Sequence, residues 1–173
     1  GPVRIDRLRV LCRDADTTRA HLRLHARIDS LTGHRATLRT SAGGEVVDEH
    51  DVELAAGLND VEWGLDLADP QLWWPRSLGD QPLTTIVVAV DVDGSVSDEC
   101  SRRTGLREVA WSNWVCSING ERLFLKGANV TPTRPGLADA PPELVRGDVE
   151  LAVNAGLDVL RVEGHVARTE LYD

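Results

Sequence analysis

Residues 20–28, Ala20-His21-Leu22-Arg23-Leu24-His25-Ala26-Arg27-Ile28, carry an apolar side chain at every even position and a polar or charged one at every odd position. Successive side chains of a strand point to opposite faces, so this pattern fits a strand with one face buried and one wet. A helix would need apolar spacing of three and four instead. The same period of two runs through residues 3–12, 36–40, 45–54, 59–65, 83–92 and 95–100. Turn signals separate the runs: Thr32-Gly33, Gly43-Gly44, Gly57, Gly79-Asp80 and Asp93-Gly94. Asp-Gly between two alternating runs is a strong hairpin cue, because both residues tolerate the positive φ of a primed turn.

About seven short strands at this spacing predict a mostly β chain that opens with an immunoglobulin-like antiparallel β-sandwich. One long connection, residues 68–82, interrupts them and contains Leu72-Trp73-Trp74-Pro75. Two adjacent indoles in a loop are expected to cap an open end of the core or to face a neighbouring domain. Loop-anchored packing is favoured there over stacking on sugar. His21 and His25 have the i, i+4 spacing of a metal pair, but on a strand that spacing puts them ~13 Å apart. They are therefore expected on the wet face of the sheet, and no metal site is assigned.

Composition narrows the function classes. The net charge of −9 argues against a general nucleic-acid binder, which needs Lys and Arg to neutralise phosphates. No apolar run approaches the ~20 residues of a membrane-spanning helix, so no membrane partner is expected. Lys126 is the only lysine among 19 cationic residues and there is no Met, as GC-rich coding would produce. Cys12, Cys100 and Cys116 are an odd number without close spacing, and free thiols are expected rather than a disulfide framework. With no secretory signal visible, a cytoplasmic protein is favoured. The opening Gly1-Pro2 reads as a trimmed terminus.

Beyond Trp111 the period changes. Residues 114–118, the pair Asn119-Gly120 and residues 122–126 predict a hairpin with a primed turn. After a loop over 128–142, Leu144, Val145, Val149, Ala152 and Val153 recur at mainly helical spacing and predict a helix over 143–155. Asp139 is placed to cap it, Pro141 and Pro142 suit its first turn, and Gly156 suits its end. Residues 157–162 form a fresh apolar strand, so strand, helix and strand make one crossover with a parallel pair. Such a pair cannot bury both faces alone. The last five residues, Thr169 to Asp173, read as the first turn of a further helix.

Trp73-Trp74-Pro75, Arg103-Thr104-Gly105-Leu106-Arg107-Glu108-Val109, the run from Asn119-Gly120-Glu121-Arg122 through Lys126-Gly127-Ala128-Asn129, and Leu160-Arg161-Val162 together resemble glycoside hydrolase family 2. The branch they resemble is that of the β-mannosidases and exo-β-glucosaminidases. The resemblance implies a sandwich over residues 1–111 and a truncated βαβ start of a (β/α)8 barrel over 112–173. Residues 123–126 would be the first barrel strand, 143–155 its first helix and 159–162 its second strand. It further implies hydrolysis of terminal β-linked sugars with retention, by two glutamates on later barrel strands. Nucleophile and acid/base are thus expected beyond Asp173, and no catalytic residue within the chain. No cofactor is needed, and the partner is a carbohydrate substrate. The alternative is a non-catalytic sandwich that binds carbohydrate or protein.

Barrel enzymes carry working side chains at the C-terminal ends of their strands. By the resemblance, Arg161 lies beside the nucleophilic carboxylate, which a fixed cation would keep ionised. Asn129 would hydrogen-bond a sugar hydroxyl or a loop backbone, and His165 would stand in the loop above the barrel mouth, within reach of sugar. Glu163, though next to cationic neighbours, is expected in a salt bridge with an arginine. Val130 stands where the family often has a Trp walling the sugar site, a departure that bears on which sugar fits. Arg102, Arg103 and Arg107 are expected to contact carboxylates or the barrel rather than a polyanion.

Overall fold

The structure is a computed structural model that describes residues 1–132, 134, 136, 140–167 and 171. Seven strands come first: β1 (Val3–Ala15), β2 (Arg19–Ser30), β3 (His34–Ala42), β4 (Glu45–Leu54), β5 (Gly57–Ala68), β6 (Thr84–Val92) and β7 (Ser95–Thr104). They form two antiparallel sheets of order β1-β2-β5 and β4-β3-β6-β7. The chain is mostly β, with an antiparallel sandwich as its main body. The alternation of β2 is realised in full: Ala20, Leu22, Leu24, Ala26 and Ile28 are all completely buried. They meet Leu38, Ile86, Val88 and Val90 of the opposite sheet in one core, where apolar area removed from water supplies the main stabilisation. Between the sheets the Trp63 indole N–H donates to the buried Thr40 hydroxyl at 3.1 Å.

The turns follow the sequence signals. Asp93 and Gly94 have φ of 52° and 77°, and Gly43 and Gly44 have 60° and 97°, the signature of primed hairpin turns. The wet face of β2 carries a cross-strand charge ladder. His21 Nδ1 stands 2.7 Å from Asp66, Arg23 lies 2.6 Å from Glu62, and His25 and Arg27 both reach Asp60. His21 and His25 thus stand against two different carboxylates. The free edge of β1 is protected by β7: the Ser97 hydroxyl accepts from the Val3 amide and donates to its carbonyl, while Asp98 accepts from the Ile5 amide at 2.7 Å. Such satisfaction keeps an edge from pairing with another chain. The three cysteines are free, Cys116 buried and the other two half-buried.

A three-stranded sheet follows, formed by β8 (Val109–Ser112), β9 (Val115–Ile118) and β10 (Glu121–Leu123) in the order β10-β9-β8. The expected turn at Asn119-Gly120 is present, with φ of 51° and 82°. Strand β11 (Gly127–Val130), helix α1 (Pro142–Asn154) and strand β12 (Val159–Val162) complete the described elements. The two strands pair in parallel, Gly127 to Val159 through Val130 to Val162. This corrects the strand expected over 123–126. Leu123 ends the antiparallel β10 opposite Cys116, residues 124–126 connect, and the parallel strand begins at Gly127. Glycine is required there, since a Cβ would lie 2.7 Å from the Val159 carbonyl oxygen.

Pro141 is the N-cap of α1 without a side-chain cap bond, and Pro142 occupies the first helical position, where its missing N–H costs nothing. The expected cap, Asp139, lies outside the described residues. So do Thr169, Glu170, Tyr172 and Asp173 of the stretch read as a further helix. At the other end of α1, Gly156 has φ of 69°, its amide donates to Val153, and the Leu157 amide donates to Ala152. This doubly bonded glycine stop is a Schellman motif. No helix among the described residues is long and apolar enough to cross a membrane.

Candidate functional site

The motifs that are scattered along the sequence meet at one junction. The Trp73 amide donates to the Leu106 carbonyl at 2.9 Å, and Leu72 bridges to Leu106. The Arg107 guanidinium lies 4.4 Å over the Trp73 ring, a cation–π contact. Gly105 passes so close to that ring that a Cβ would sit 2.7 Å from it. From the other side the Asn119 side-chain amide donates to the Trp73 carbonyl at 3.0 Å and accepts from the Glu108 amide at 2.9 Å. Trp74 packs against Gly79 and bonds through its backbone to Asp80 and Gln81. Both indoles therefore serve as packing groups in the loop.

The same loop touches the parallel pair. The Ser77 amide donates to Asp158 Oδ1 at 3.4 Å, and Lys126 Nζ lies 3.4 Å from Asp158 Oδ2. The Asp158 side chain is 1% exposed. Burial pushes its carboxyl up in pKa, but the Ser77 contacts and the Lys126 ammonium outweigh this and hold it below the usual carboxylate range. Sequence reasoning misses Lys126 and Asp158 as site residues. The signal that could have found them is the solitary lysine.

Of the three residues expected at the site, Asn129 and Arg161 are direct register partners in the parallel pair, with backbones about 4.8 Å apart. Alternation places them on the same face as Gly127 and Val159. That face is exposed, whereas Ala128, Val130, Leu160 and Val162 belong to the other, and three of these four are half-buried. Among the described residues Arg161 makes no ion pair. His165 is placed elsewhere: its Nδ1 is 2.9 Å from the Glu163 carbonyl, and its ring lines a recess with Val130, Val145 and Asp148 on the helix side. Glu163 donates its amide to Val130. The expected salt bridge from Glu163 to an arginine is not formed among the described residues, where the Glu163 side chain is exposed. No group of three or more metal-ligating side chains occurs among the described residues.

The geometry defines a class first: a seven-stranded sandwich joined by a small hairpin sheet to a β-α-β unit, with Asn and Arg side by side on the open face of the parallel pair. The family model for glycosyl hydrolases family 2 matches residues 3–107, and the chain belongs to that family. It is 32% identical over 115 residues to an exo-β-D-glucosaminidase of Streptomyces avermitilis, a match covering 64% of this chain and 12% of that protein. It is 33% identical over 86 residues to β-mannosidase A of Aspergillus aculeatus, covering 39% of this chain and 9% of that protein. Among solved structures, the exo-chitosanase of Amycolatopsis orientalis superposes with a TM-score of 0.82 at 25% identity, over 100% of this chain and 21% of that one. The β-D-mannosidase of Dictyoglomus thermophilum gives 0.82 at 25% identity, over 99% and 23%. The chain thus spans 12% and 9% of the length of the two curated relatives.

Proposed function

We propose that these residues belong to a retaining glycoside hydrolase acting on terminal β-linked sugars of the β-mannoside or β-glucosaminide class. In this reading residues 1–111 are its immunoglobulin-like sandwich and 112–173 the start of its (β/α)8 barrel. The observation that carries it is the register of Asn129 with Arg161 on the face of the parallel pair turned away from α1. In a barrel that face is the interior, and strand ends are where substrate is met. Arg161, without an ion-pair partner among the described residues, supplies a cation to an arriving carboxylate. It keeps that group ionised and aims its attacking oxygen. Asn129 hydrogen-bonds a sugar hydroxyl, and His165 shapes the rim from the helix side. The nucleophile and the acid/base, two carboxyl groups about 5 Å apart in a retaining enzyme, come from barrel strands beyond Asp173. No cofactor enters the reaction.

A free-standing sugar-binding sandwich would need an open aromatic face at Trp73 or Trp74. Arg107 covers one face of Trp73, and Trp74 packs on Gly79, which disfavours that alternative. The test is turnover of aryl β-mannoside and β-glucosaminide by the full-length protein. Arg161→Ala should lower kcat/KM by about 10²–10³-fold, the size seen when a stabilising group beside developing charge is removed. A folded full-length protein inert on both substrates would end the proposal.

A further inference from the structure

A buried charge fastens the Trp-Trp-Pro loop of the sandwich to the parallel pair. Lys126 and Asp158 occupy equivalent places, each one residue before its strand begins. The Asp158 amide donates to the Lys126 carbonyl at 2.7 Å and the Val159 amide to the same oxygen at 3.2 Å, so the two strand starts are already joined through backbone. On top of this the Asp158 carboxylate, 1% exposed, takes the Ser77 amide on one oxygen and stands 3.4 Å from the Lys126 ammonium with the other. That second oxygen is sealed from solvent and has no aligned hydrogen-bond donor. A buried carboxylate is tolerated only when a charge or donors compensate it, and the Lys126 ammonium is the cation in ion-pair range.

The identity of that cation fits the place. Arginine supplies the other 18 of the 19 cationic residues, and lysine occurs here alone. An ammonium is a compact point charge on a flexible stem, so it can stand against a single carboxylate oxygen while much of the Lys126 side chain stays in water.

We infer that Asp158 is a positioning residue: with Lys126 it locks the sandwich loop at Ser77 to the first residues of β11 and β12, and so fixes where Asn129 and Arg161 stand at the other ends. Asp158 is about 10 Å along the strand from Arg161, and it acts through the strands without touching the sugar site. This rests, for its catalytic consequence, on the glycosidase reading; the lock itself does not.

Hydrogen exchange read by mass spectrometry on the full-length protein decides it, using Asp158→Ala, Asp158→Asn and the reversed pair Lys126→Asp with Asp158→Lys. Amides of residues 72–81, 127–130 and 159–162 should exchange about tenfold faster in the Ala and Asn variants, with β2 and β6 unchanged. The reversed pair should recover part of that protection. On an aryl β-glycoside, kcat should fall about tenfold with KM within about threefold. Unchanged exchange in those segments, or equal acceleration in β2 and β6, would overturn the lock. Should the Ala variant not fold, the Asn variant, which keeps the shape and the acceptor for Ser77, decides. Altered exchange with an unaltered kcat would overturn the positioning role. If the wild-type protein hydrolyses no β-glycoside, the glycosidase reading falls while the exchange result still judges the lock.

Discussion

Single atoms decide how the sandwich end is closed. Gly105 has no Cβ because the Trp73 ring occupies its place, and Arg107 comes within 2.8 Å of the same point. Gly105→Ala must push the indole or the guanidinium aside, and overpacking of this kind costs about 1–3 kcal/mol, measurable as a lower urea midpoint. On the outer face of the second sheet, Asp51 accepts from Arg35 at 2.8 Å and from the Thr37 hydroxyl at 2.8 Å. The Arg35 bond first, then the Thr37 bond, hold its carboxyl below the usual range. A folded-state value below the unfolded one contributes stability that is present above the unfolded pKa and is lost as pH falls through the folded one. Asp51→Asn should therefore lower the urea midpoint at about pH 6, and the difference from the wild type should shrink as the pH falls through the folded-state value of the carboxyl. The two curves converge on the acid side. The effect is small, since both partners are solvent-exposed.

Elements differ in how plainly their residues announce them. Strand β2 is legible because its alternation is unbroken and every inward residue is fully buried. In β1 the inward set runs Val3, Ile5, then Leu8, Val10 and Cys12, then Ala15, because register shifts at Asp6 and Arg13 each reverse the phase. Strand β8 carries no signal: its four residues are all exposed, and its turn is made by Asn113 and Trp114 at φ of 48° and 66°, where a tryptophan is not a turn residue. Strand β11 is misplaced by its sequence for an opposite reason. Leu123-Phe124-Leu125 looks like a buried strand, whereas Gly127-Ala128-Asn129-Val130 has little β-propensity and becomes a strand through its pairing with β12. Arg161 and Asn129 are readable as strand-end residues from the family pattern. Their being register partners is not, since registry with a strand thirty residues on depends on where β11 begins. Helix α1 has one weak position of its own. Gly147 lies in its interior with open space around its Cα, so Gly147→Ala should stabilise the helix by about 1 kcal/mol, seen as slower amide exchange over 142–154.

Over the whole molecule, burial is uneven. The sandwich closes on itself, yet the sheet of β8, β9 and β10 buries only Cys116, Ile118 and Leu123. Beside them Trp111, Trp114 and Phe124 are 61%, 97% and 83% exposed, and these three line one concave surface together with Val115 and Leu125. Contiguous apolar surface of this kind drives association, and the net charge of −9 opposes it only at long range, within a Debye length of about 8 Å at physiological salt. The 173-residue chain should therefore self-associate more strongly as salt is raised. Replacing Trp114 and Phe124 together by Ser should suppress that association without lowering the thermal midpoint, because neither side chain contributes to the buried core. Light scattering against ionic strength, with the melting curve as control, checks both halves. A Ser variant that scatters like the wild type would show that the open strands of the parallel pair, not the aromatic surface, are the sticky part of the molecule.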